Sequence, residues 1–196
     1  MRNTLYTSFL LKLISRVTMK NYLCLLLLLL FNLTASAQSG TAAAFNQKEG
    51  EILKIGMVVL GGWALLNIIF GSFRLMKASR SKKFLHQMNI YFNIVNICIA
   101  GFALYFILTE NAARTLAETV RMHYWYIKIL YLSIGLDVSY MLLGAYLQEK
   151  SRNSPKTEQY LGWGQSLVLQ GLFLFLLDLA LTILLEKHTS DLMRLL

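Results

Sequence analysis

Long apolar stretches alternate along the chain with short polar ones, and the lengths of the apolar stretches decide what each is for. Residues 22–33 form a first run, too short to cross a bilayer. Four longer runs follow, at 52–73, 84–108, 122–147 and 161–185. A hydrocarbon core about 30 Å thick takes roughly 20 residues of helix, so each of the four predicts a membrane-crossing helix. The loops between them are short, which makes neighbours in sequence antiparallel neighbours in space. The fold class expected is all-α: a transmembrane up-down four-helix bundle over 52–185, preceded by a signal peptide, with a short outer segment at 38–51 and an outer tail at 186–196.

The first run reads as an address. Met19-Lys20-Asn21 supplies a basic start, Tyr22 to Leu33 the apolar centre, and Thr34-Ala35-Ser36-Ala37 a small-residue cleavage site. Together they predict a signal peptide at 1–37, cut after Ala37. Met19 serves equally well as the true start, because the residues before it only lengthen the basic region. Cys24 sits too early in the run to be a lipidated cysteine. The alternative is an uncleaved signal anchor and five spans; either way the chain emerges on the outer side.

Polar residues inside the four spans are ordered. In the second, His86, Asn89, Asn93 and Asn96 recur every three or four residues, which at about 100° per residue confines them to an arc of about 80°. The third span carries Ser133, Asp137, Tyr140 and Gly144 on one face, the fourth a drifting seam of Ser166, Gln170, Asp178 and Thr182, and the first Gly56, Trp63 and Asn67. Facing lipid, these groups would lack hydrogen-bond partners, so all four faces are expected to turn inward. Asn67, His86 to Asn93, Asp137, Tyr140 and Gln170 should then meet in the inner half of the bundle. Asp178 lies nearer the outer leaflet.

Composition agrees with a bilayer environment: 56% of residues are hydrophobic, 15% are charged, and mean hydropathy is +0.52, far from the balance of a soluble domain. The net charge of +9 is a matter of topology. Four basic residues (Arg2, Lys12, Arg16, Lys20) precede the signal core, and the first loop holds Arg74, Lys77, Arg80, Lys82 and Lys83 without an acid. The second loop is balanced (Arg114 and Arg121 against Glu110 and Glu118), and the third leans basic again. Basic loops mark the cytoplasmic side, which places loops one and three inside and both mature termini outside in a bacterial inner membrane. No solvated basic face remains for nucleic acid. With Cys98 the only cysteine left after processing, no intrachain disulfide, dithiol pair or thiolate zinc site is available.

The polar faces admit two readings. Amides, hydroxyls and small residues act as glue between membrane helices, with Gly61, Gly62, Gly101 and Gly171 allowing close approach. Asp137 and Asp178 are costlier, since an intramembrane carboxylate marks either a site or a protonated acid; Asp137 is expected to hydrogen-bond an asparagine or His86. Haem wants an axial pair, and His123 and His188 lie at the outer end, far from His86; no cofactor or metal is expected. Lys54 and Lys128 read as snorkelling residues, and Tyr124, Trp125 and Tyr126 as an interfacial belt.

Gly56 to Ala64 with Asn67, His86-Gln87-Met88-Asn89 with Asn93 and Asn96, Leu136-Asp137-Val138 with Tyr140, and Gly162, Gly164, Ser166, Gln170-Gly171 and Asp178 together resemble an uncharacterised family of small bacterial four-span membrane proteins. The resemblance runs through all four spans. It implies kinship and no activity, and it makes the polar cluster the family's signature. The leading expectation is a non-enzymatic protein of the lipid bilayer whose polar interior binds a ligand, a lipid head group or a proton, or couples to a membrane partner or a second copy. A small proton- or ion-coupled transporter using Asp137 is the alternative. A membrane enzyme with Asp137 and His86 as acid and base comes third, for want of an activated nucleophile.

Overall fold

The structure, a computed structural model, describes residues 42–110 and 114–193; the expected signal peptide lies outside them. Four helices follow one another: α1 (Ala42–Leu75), α2 (Arg80–Thr109), α3 (Leu116–Ser151) and α4 (Thr157–Met193), with no strand among the described residues. Each expected apolar run falls inside one of them, and all four are long and apolar enough to cross a membrane. At 30 to 37 residues they measure about 45–55 Å, well beyond a hydrocarbon core of about 30 Å. Their ends therefore stand in the interfacial layer. In particular, α1 already begins at Ala42 and α4 continues to Met193, so residues flanking the apolar runs are packed helix.

Local chemistry sets the ends. Thr115 caps α3 with a full capping box: its side chain accepts from the Glu118 N–H at 3.3 Å, and Glu118 Oε2 accepts from the Thr115 N–H at 3.0 Å. Ser79 is extended at the start of α2. Between α3 and α4 the turn is held by Ser154, which accepts from the Lys156 N–H and the Thr157 hydroxyl.

Pairings along the helices run antiparallel. Asn67 meets Asn89 and Gly50 meets Ile107 between α1 and α2; Gly144 meets Gly164 and His123 meets Thr189 between α3 and α4. The bundle thus has an upper end, where α1 and α3 begin and α2 and α4 finish, and a lower end. α4 packs against all three other helices, and α1 against α2. Of the most apolar stretch of α4, 44% is buried, against 17–22% for the others, so α4 is the axis around which the rest assemble. Outward faces are strongly apolar, with Phe73, Phe102, Leu132 and Leu142 about two-thirds exposed. In water such continuous apolar surface would be untenable; against lipid it is the normal exterior.

The α3–α4 contact is backbone on backbone. A Cβ at Gly144 would stand 2.7 Å from the Gly164 carbonyl oxygen, and one at Gly164 2.5 Å from the Gly144 oxygen. Gly171 is similarly pressed on the Asp137 carbonyl. Of the glycines expected to allow close approach, Gly171 does so. Gly61 makes only an ordinary contact with Ala100, while Gly62 and Gly101 face open space. The decisive small residues are Gly144 and Gly164, because α3 and α4 run closest.

Candidate functional site

A spacing of four residues along α2 aims Asn89 and Asn93 at the bundle axis, where Asn67 of α1 and Gln170 of α4 meet them. Asn89 is the hub. Its Nδ2 donates to Asn67 Oδ1 at 2.9 Å, and its Oδ1 accepts from Gln170 Nε2 and, at 3.2 Å, from Asn93 Nδ2. Gln170 Oε1 in turn accepts from the Trp63 indole N–H at 3.0 Å, and Trp63 stacks on Phe173. Asn67 and Asn93 also return bonds to the carbonyls of Trp63 and Asn89. Three helices are joined by one amide network, and Asn93 and Gln170 are fully buried within it. The amides bond one another across three helices, as interhelical glue requires, and only Asn93 Oδ1 among them is buried without a partner.

The remaining residues of the expected cluster lie apart from this network. Asn96 is buried, and its Nδ2 has no partner. Tyr140 packs edge-on against Phe92, 5.2 Å between ring centres. The charged neighbours of His86 are Arg74 and Lys82, at the lower end. The expected hydrogen bond from Asp137 to an asparagine or to His86 does not form. Asp137 lies on the α3 face that meets α4, so its charged neighbour is Asp178, and its Oδ2 is buried without a partner. Asp178 is hydrogen-bonded by Ser133. Two carboxylates thus share the α3–α4 interface. No salt bridge among the described residues includes either of them. Ser166 Oγ, one turn below Gln170 on α4, is also buried and unpartnered.

A second polar cluster sits at the upper end. Glu49 of α1 and His123 of α3 are both fully buried and meet at 2.5 Å through His123 Nδ1. The other imidazole nitrogen reaches Thr189 Oγ1 of α4 at 2.8 Å. Phe45 stacks on His188, which lies 3.0 Å from Asp191, and Lys48 closes on the same carboxylate at 3.3 Å. Sequence reasoning did not join these residues: Phe45, Lys48 and Glu49 fell in the outer segment and His188, Thr189 and Asp191 in the outer tail, while His123 was weighed only as a haem ligand. The signal was present: Phe45, Glu49, Leu53, Gly56, Leu60 and Ala64 continue one buried stripe at spacings of three and four, as do Thr119, His123, Ile127 and Leu130. Among the described residues, no group of three or more His, Cys, Asp or Glu side chains is arranged to hold a metal ion.

Four apolar helices around buried amides and carboxylates define a multi-pass membrane protein of the helical-bundle class. The chain belongs to a family of unknown function, DUF6992, which matches residues 59–179 and so takes in parts of all four helices and the whole amide network. Comparisons with curated proteins and with solved structures return no match.

Proposed function

We propose that this is a non-enzymatic protein of a bacterial inner membrane that takes up a proton or a small cation between α3 and α4, at Asp137 beside Asp178. One observation carries the reading: Asp137 Oδ2 is buried in an apolar span with neither a hydrogen-bond donor nor a counter-charge. Leaving a carboxylate in that state costs several kcal/mol, and a bound proton or cation removes the cost. The amide network is the frame that holds α1, α2 and α4 around this interface. Export by a signal peptide ending at Ala37 and termini on the outer side belong to the same reading, the first supported by the basic, apolar and small-residue pattern of 19–37, the second by the distribution of Lys and Arg among the loops.

The transporter reading gains from the same unpartnered oxygen, with Asp137 as the coupling group. An enzyme using Asp137 and His86 as acid and base needs the two in one site, and their charged neighbours are different residues. The test is infrared spectroscopy of the full chain in lipid nanodiscs across a pH titration. A protonated carboxyl band that disappears in Asp137→Asn, with the helical fold retained, is the expected result. A spectrum that Asp137→Asn leaves unchanged at every pH sinks proton uptake at this residue; sodium- or potassium-dependent shifts of the carboxylate band then decide the cation arm. Proton or ion flux into proteoliposomes, lost in Asp137→Asn, separates a carrier from a binder.

A further inference from the structure

At the upper end, the start of α1, the end of α2 and the start of α3 surround a cavity of about 240 Å³, whose lining includes Glu49, Lys54, Ile107, Glu110, Arg114 and Tyr126. It is remote in composition from the Asp137 interface and shares no residue with it. Its polar groups are unequally satisfied. Glu110 is occupied at both oxygens, facing Arg114 Nη1 at 3.1 Å and accepting from the Tyr126 hydroxyl at 2.9 Å. Glu49 is occupied at one: Oε1 meets His123, while Oε2 is buried with no partner, on a side chain only 1% exposed. Arg114 Nε and Nη1 are likewise buried without a hydrogen-bond partner, Nη1 meeting Glu110 as an ion pair alone. The residues lining the cavity therefore offer an acceptor that needs a donor and a donor that needs an acceptor, with Lys54 adding a second positive charge and Glu51 a further negative one.

A ligand that answers both carries an N–H cation and an anionic oxygen in one small group. We propose that this cavity binds an ammonium–phosphate zwitterion, which a membrane supplies as the head group of an ethanolamine phospholipid. The ammonium sets its hydrogens on Glu49 Oε2, and the phosphate lies against Arg114 and Lys54, a pairing that guanidinium geometry favours. A quaternary choline group has no hydrogen to give and leaves Glu49 Oε2 orphaned. The volume lies below the roughly 300–1,000 Å³ of pockets that enclose whole small molecules, which suits a head group whose tails stay in the bilayer. Position agrees: the cavity stands beside Leu108, 69% exposed on the lipid-facing side of α2, at the level of Trp125 and Tyr126.

The experiment uses the full chain in detergent and competitive native mass spectrometry. Phosphatidylethanolamine, its N-methyl and N,N-dimethyl derivatives and phosphatidylcholine, all with the same acyl chains, are offered in pairs. Expected is a preference of about tenfold for any lipid that keeps an N–H over phosphatidylcholine, the scale of one charge-assisted hydrogen bond, with the drop falling at the third methyl group. Arg114→Ala lowers retention of all four several-fold. Glu49→Gln abolishes the preference, and the wild-type methylation series carries the conclusion should that variant not fold. Equal retention of the ethanolamine and choline lipids overturns the proposal. Displacement of the lipid by millimolar phosphoethanolamine assigns the site to a soluble zwitterion; no displacement assigns it to the phospholipid.

Discussion

Asn89 and Asn96 occupy the same stripe of α2, are the same residue and are both buried, yet removing them should have very unequal consequences. Asn89→Ala deletes three side-chain hydrogen bonds, to Asn67, Asn93 and Gln170. Interhelical hydrogen bonds in membranes average about 0.6 kcal/mol and reach about 1.7, so their loss alone costs roughly 2 kcal/mol. Gln170 Nε2 and Asn67 Oδ1 are also left without their partner, and the space of the amide is left empty, which raises the total to about 3–4 kcal/mol. Asn96→Ala removes an amide whose Nδ2 has no partner; it relieves a desolvation cost and creates a small void, and the two offset to within about 1 kcal/mol. The assay is reversible unfolding of the purified chain in mixed micelles, followed by the fluorescence of Trp63, which sits on the network. A double-mutant cycle between Asn89→Ala and Gln170→Ala should return a coupling of about 0.6–1.7 kcal/mol. Equal effects of Asn89→Ala and Asn96→Ala, or zero coupling between Asn89 and Gln170, refute the network as the element that joins α1, α2 and α4.

Three further outcomes follow from the packing. Gly164→Ala drives a methyl group into the Gly144 carbonyl and should cost about 1–3 kcal/mol by parting α3 from α4, whereas Gly62→Ala, with open space around it, should be neutral or slightly stabilising; thermal melts in detergent compare the two. His123→Leu leaves Glu49 buried without its partner and should cost about 3–5 kcal/mol, most of it recovered when Glu49→Leu is added, as read from the same melts. Thr115→Ala removes the capping box of α3 and should cost about 1 kcal/mol, with faster amide exchange confined to the first turn of that helix.

The inward stripe of α2 was legible because a helix turns by a constant angle per residue, so spacing alone places Asn89, Asn93 and Asn96 on one side. Spacing says nothing of which helix that side meets. Asp137 illustrates the gap: its face was foreseen as buried, and it is, yet it faces α4 and Asp178 while the asparagines face one another and Gln170. Rotation of each helix about its axis is set by the closest backbone contact, here Gly144 on Gly164, which no single helix reveals. The upper cluster of Glu49, His123 and Thr189 was hidden for another reason. Hydropathy marks where a helix enters lipid; Glu49 and Thr189 lie where the helices run past it, and His123 at the very start of its apolar run.

From residue order alone came four helices of membrane-spanning length, their antiparallel succession and the side on which each carries polar groups, because hydrophobic length and helical period are properties of one chain segment at a time. Tertiary structure alone decided that α4 is the axis, that the amides of three helices join in one network, and that the carboxylates of Asp137 and Glu49 are each left with a buried oxygen unanswered. Those outcomes depend on which faces touch, and contact between helices is settled by the fit of whole surfaces.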